Sequence, residues 1–267
     1  MKCYRAFVRQ QLNSLTLYRF EFVMKVLYGC IAMYGVRCLW YALHAQNPAL
    51  LGRSLPDMIT YAMMAMAMDL VFYPSGDNAV YDYMNAQVKS GSIDTDLLRP
   101  MGFQRQMLYR NASRMMVLSW VLVLPAWLLA VLFMGMQLPS SLVHLAAFFV
   151  SVGLAYFVLF SLSFLLGLLG MITMDIRHIS WAYRGLVDLL SGKLVPLWLF
   201  PPMLMQCTNL LPFRCIYDIP LNIYTGAFDA AEIFRQLGFQ CMWALALMSA
   251  GHLLWRKVHL RLTVQGG

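Results

Sequence analysis

Side chains able to do chemistry are few in this sequence, and they are scattered. The five histidines, His44, His144, His178, His252 and His259, fall on different loops and helix ends without an HExxH pair. No zinc-binding pair is encoded, and each reads as an interfacial histidine. Six cysteines show no CxxC. Cys30 and Cys38 share one helix, and Cys3 and Cys241 are isolated. Cys207 and Cys215 fall on the same expected side of a membrane, where an oxidising compartment would permit a disulfide between them. A GxxxxGK[ST] loop, whose backbone N–H groups cradle phosphate, does not occur; Ser191 to Lys193 reads SGK but lacks the upstream glycine. The expectation is a chain with no catalytic residue, no metal ligand and no cofactor, unable to hydrolyse ATP alone.

Charges within apolar stretches are costly and face protein or water. Glu21 and Lys25 stand in the favourable order for an i,i+4 pair. Arg37 lies near a helix end, from which it can snorkel. Asp69, in MAMDLVFYPSG, has no local partner in sequence. It is a candidate for an internal polar contact or a pathway lining, or else a helix-end carboxylate near the inner interface. Many of the 21 methionines fall in the same stretches, where flexible thioethers suit adaptable packing or gap filling.

The elements that must position these groups are membrane helices. The chain is 61% hydrophobic and 12% charged, with a mean hydropathy of +0.63, a balance that a soluble domain of this length does not keep. Six segments approach or exceed the roughly 20 apolar residues that span the hydrocarbon core: Phe20 to Leu43, Leu55 to Tyr73, Met115 to Met136, Leu142 to Met174, Trp181 to Phe200 and Leu237 to Trp255. The expected fold is an all-α membrane protein of six spans, one transmembrane domain over residues 1–267. Its fifth span is the weakest, because Arg184, Asp188 and Lys193 interrupt it and Pro196 breaks it.

Lys and Arg set the orientation. One side holds Lys2, Arg5, Arg9, Arg19, Lys89, Arg99, Arg105, Arg110, Arg114, Arg177, Arg184, Arg256, Lys257 and Arg261; the other holds Arg53, Lys193, Arg214 and Arg235. Both termini are therefore expected in the cytoplasm. The net charge of +8 follows from this bias and from anionic lipid headgroups, so no nucleic acid partner is implied. More than a dozen mixed polar residues precede the first apolar run, which is not the layout of a cleavable signal. Met1 to Tyr18 instead places Phe7, Val8, Leu12 and Leu15 on one face and Arg5, Arg9 and Asn13 on the other. That pattern fits an interfacial helix or a cytoplasmic extension of the first span.

Two further segments stand out. Val88 to Met115 is polar and basic with its own helix signal: Gly91 and Ser92 offer a start, Ile93, Leu97 and Leu98 share one side, and Pro100 stops it. Such a helix can press Leu97 and Leu98 into a groove of a soluble partner, with Asp94, Asp96 and Arg99 setting register; an ordinary solvated loop turn is the alternative. Ser191 to Gly226 stays apolar and aromatic although Pro196, Pro201, Pro202, Pro212 and Pro220 forbid one continuous helix. Broken, partly re-entrant helices that cap or shape a pathway fit this pattern, as does an interfacial aromatic loop.

The whole layout resembles the membrane subunit of an ATP-binding-cassette exporter of the second permease type. GSIDTDLLRP (Gly91 to Pro100), the proline-rich run Leu194 to Gly226 and the terminal Val264 to Gly267 carry the resemblance most specifically. It implies a subunit of a bacterial plasma membrane that pairs with an identical or related permease and binds two separate ATPase subunits, which hold ATP and Mg. It further implies a coupling helix over Ser92, Ile93, Asp94, Thr95, Asp96, Leu97, Leu98 and Arg99. A second ATPase contact falls on the loop with Asp175, Arg177 and His178. The outer gate would comprise Pro196, Trp198, Phe200, Pro201, Pro212 and Phe213. An amphipathic cargo, lipid, peptide or drug, matches the aromatic and methionine-rich lining. The competing classes are an ATPase-independent carrier or channel and a membrane enzyme; the first shows no inverted repeat and few intramembrane acids, the second no catalytic cluster.

Overall fold

A computed structural model describes residues 4, 7–12, 19–46, 52–73, 79–98, 101–173 and 177–259, and among them there are helices and turns but no strand. In chain order the helices are α1 (Arg19–Gln46), α2 (Leu55–Phe72), α3 (Ala79–Lys89) and α4 (Ile93–Leu97). The long α5 (Phe103–Phe133) follows, then α6 (Leu142–Thr173), α7 (Arg177–Leu190), α8 (Pro202–Leu210), α9 (Asp218–Tyr224) and α10 (Ala230–Val258). Five of these are long and apolar enough to cross a membrane: Phe20–Gln46, Leu55–Phe72, Phe103–Phe133, Leu142–Thr173 and Ala230–Val258.

Local chemistry sets several boundaries. Ser54 caps α2 by accepting from the Asp57 N–H, and a proline occupies its first turn. Asp229 caps α10 through the Glu232 N–H at 2.7 Å. Within α5, Pro125 has no N–H to donate, and the helix widens to a π turn over Ser119–Val123, where the Leu124 N–H reaches back to the Ser119 carbonyl.

Helix α6 is the central pillar, with α10, α3 and α9 packed along it, while α1 lies against α2. Gly167 lets α3 approach, since a Cβ there would stand 2.6 Å from the Met84 sulfur. A polar clamp crosses the pillar: Gln240 on α10 accepts from the Ser151 hydroxyl at 2.8 Å and donates to the Cys215 carbonyl at 2.8 Å. Every group in that clamp finds a partner where water is excluded. Cys207 and Cys215 are both free thiols.

The expected span Trp181 to Phe200 is not one helix. Helix α7 runs Arg177–Leu190, 14 residues or roughly 21 Å at 1.5 Å per residue. The chain then turns at Gly192 with φ +83, and past Pro196 it makes only a short 3-10 turn, Leu197–Leu199. The left-handed turn favours glycine, and Pro196 prevents resumption of the α-helix. A second correction concerns α5. It starts at Phe103 rather than near Met115, so Arg105, Arg110 and Arg114, expected in a loop, stand on a helix. Helix α3 was not expected from the sequence. Most of the proposed N-terminal helix, Met1 to Tyr18, lies outside the described residues; 7–12 are helical, and the Tyr4 hydroxyl reaches the Met116 sulfur at 3.2 Å.

Candidate functional site

Helix α4 is built by its own short-range hydrogen bonds. Gly91, with φ +68, closes α3, its N–H bonding the Val88 carbonyl, and Thr95 then folds back on the Ser92 carbonyl through both its N–H at 3.2 Å and its hydroxyl at 2.7 Å. Ser92 also takes the Ser90 hydroxyl proton or gives its own, 2.9 Å apart. Two expectations for this helix are corrected. Ile93 is buried in the core while Leu98 is 84% exposed, so these two do not share one side. Five residues of helical advance rotate a side chain by roughly 140°. Asp96 does not point outward either. It is buried, accepting from the Tyr83 hydroxyl of α3 at 2.5 Å and from the Gln106 amide of α5 at 2.9 Å. A buried carboxylate with two donors is satisfied, and it fastens α4 to both neighbours. The side chains of Asp94 and Leu97, and the whole of Arg99, lie outside the described residues, as do Asp175 and the side chains of Arg177 and His178, although Arg177 and His178 sit on the first turn of α7.

Asp69, without a partner in the linear sequence, gains two. Lys193 places its ammonium 2.7 Å from Asp69 and 2.8 Å from Asp188, and the Tyr217 hydroxyl donates to Asp69 at 3.0 Å. Lys193 is 8% exposed in its side chain, so desolvation would be severe without these two carboxylates. The backbone around it runs alongside α2: the Tyr61 hydroxyl donates to the Gly192 carbonyl at 2.9 Å. Lys193, grouped by sequence with the outer segments, thus folds back to the level of Asp69.

Nearby, Trp198 sits edge-on to Tyr61 with ring centroids 4.8 Å apart, and the Arg53 guanidinium lies 3.7 Å over the Trp198 ring. Arg53 also donates to Asn222 at 2.7 Å, and Asn222 donates to Asp218, which Arg214 approaches at 3.1 Å. Of the other expected gate residues, Pro196 and Pro212 are buried, Phe200 and Phe213 half-buried, and Pro201 exposed. The structure joins Pro212 and Phe213 in one 3-10 turn.

A third feature escaped the sequence. A cavity of about 840 Å³ opens among α1, α2, α3, α5 and α7, lined by Lys25, Arg110, Arg114 and Arg184, by Asp69 and Asp82, and by Tyr28, Tyr73 and Tyr83. Arg110 stacks 3.6 Å over Tyr83 and Arg184 stacks 3.8 Å over Tyr73. Burial raises the Asp82 carboxyl above the usual carboxylate range. Burial, helped by the Asp96 acceptor, holds the Tyr83 phenol above its ordinary value, so it remains a donor. The one sequence signal for this cavity was the i,i+4 spacing of Arg110 and Arg114, which becomes meaningful only when α5 is extended back to Phe103.

No curated protein and no solved structure matches this chain. The family model for ABC-2 family transporter proteins matches residues 30–266. With the long apolar helices that would cross a membrane, this match covers most of the chain, which belongs to the ABC-2 transporter family as a permease subunit of an ABC transporter.

Proposed function

We propose that the chain is one membrane half of an ATP-driven exporter, moved from its inner face by separate ATPase subunits that bind ATP and Mg. Two ATPases and a second permease, identical or related, complete the assembly in a bacterial plasma membrane, with both termini in the cytoplasm. The observation that carries this reading is Asp96. A short helix that merely capped a loop would have no need of a buried carboxylate bonded to two other helices. One that receives force must be rigidly attached. Pressing on exposed Leu98 then displaces α3 through Tyr83 and α5 through Gln106, since packed interfaces move as units. The segment from Pro196 to Phe213 covers the outer end of the route, and the contact of Trp198 with Tyr61 ties it to α2.

The experiment is copurification followed by reconstitution. The tagged full chain should bring down a nucleotide-binding subunit, and liposomes holding both should move cargo only with ATP. Transport by the chain alone would instead establish an ATPase-independent carrier, the reading that the charged cluster at Asp69 would then serve.

A further inference from the structure

We infer that the cavity among α1, α2, α3, α5 and α7 is a binding site for the anionic head, phosphate or carboxylate, of an amphiphile. Of its four cations, Lys25 is paired with Glu21, and Arg184 approaches Asp188 at 3.9 Å. Arg110 and Arg114 differ, with the Glu21 already paired to Lys25 the only acid acting across space on Arg114. They stand one helical turn apart on the same face of α5, both lining the cavity, and among the described residues neither makes a salt bridge. Two like charges at this spacing repel, and repulsion of this kind is relieved by an anion held between them. Of the two acids of the lining, Asp69 is already matched by Lys193, so among the described lining residues Asp82 sets one carboxylate against the two guanidiniums.

The amphiphile follows from α1. Beside the lining residues Lys25 and Tyr28, the same span exposes Met24, Leu27 and Ile31 toward hydrocarbon, so an acyl tail can stay in the bilayer along α1 while its head enters the cavity. A volume of about 840 Å³ lies in the ~300–1,000 Å³ range of small-molecule sites. Occupancy is also connected to α4, since Arg110 stacks on Tyr83 and Tyr83 bonds Asp96. The inference deepens the exporter reading and rests on it in treating the site as the place where cargo is collected.

The test uses the full chain in phosphatidylcholine nanodiscs without any ATPase, titrated with a fluorescent phosphatidic acid and with a phosphatidylcholine probe of the same tails. The acidic probe should bind at least ten-fold more tightly. Arg110→Gln with Arg114→Gln should abolish that preference, and Arg110→Lys with Arg114→Lys should keep most of it. If the double glutamine variant does not elute as a folded species, Arg114→Gln alone, which leaves the Tyr83 stack in place, should lose at least three-fold. Equal binding of both probes by the unaltered chain, or an undiminished preference in the glutamine variants, overturns the inference. So does inorganic phosphate competing as strongly as the lipid, which would mark a free-anion site. A chain that copurifies with an ATPase yet shows no preference loses this inference and keeps the exporter reading; a preference without ATPase association does the reverse.

Discussion

The Tyr83 ring carries the Arg110 guanidinium 3.6 Å above it, and the hydroxyl of that same ring donates to buried Asp96. One side chain therefore touches both the cationic cavity and the helix proposed to meet the ATPase. Tyr83→Phe keeps the ring and removes the donor. Leaving Asp96 one partner short in a buried position should cost about 1–3 kcal/mol, read as a lower melting temperature of the purified chain. ATP-driven export should fall by more than the folded fraction falls.

Leu98→Asp is expected to leave folding unchanged, because the side chain is exposed and surface changes of this kind stay within about 0.5 kcal/mol. Recovery of the ATPase in copurification should drop at least ten-fold. Unchanged recovery and transport would remove Leu98 from the proposed interface.

Lys193→Met leaves Asp69 and Asp188 facing each other without their shared cation. The carboxylates left behind are about a quarter exposed, so the loss is about 1–3 kcal/mol rather than that of a fully buried pair. Thermal unfolding in detergent should show it, and adding Asp69→Asn should restore part of the loss. An additive double variant would mean that the two residues do not interact.

Gly167→Val tests the approach of α3 to α6. Its Cβ would collide with the Met84 sulfur, and overpacking of this sort costs about 1–3 kcal/mol. The double variant with Met84→Ala should recover stability, which a melting curve of both proteins decides.

Apolar runs made the spans starting at Phe20, Leu55 and Leu142 legible, because a helix that crosses the hydrocarbon core stays apolar whether it faces lipid or its neighbours. The start of α5 was not legible for the same reason. Its N-terminal stretch, FQRQMLYRNASR, faces a polar cavity and the buried Asp96, so it reads as loop although it is helix. Asp69 was recognisable as a polar group that must meet something, but its partner Lys193 lies far along the chain and only the fold brings them together. The division after α7 was foreshadowed by Pro196, whereas the inward turn of Asp96 was not, since a five-residue helix carries too little periodicity to say which face is buried.

At Ser119–Val123 the ladder of α5 has one bond fewer, and Pro125 prevents its repair. Such a joint yields more readily than the straight segments on either side. Under the proposed coupling, a push at Gln106 would bend α5 here, moving the arginine-bearing N-terminal arm relative to Leu124–Phe133. What the sequence divides into a loop and a span would then work as two levers hinged at the π turn.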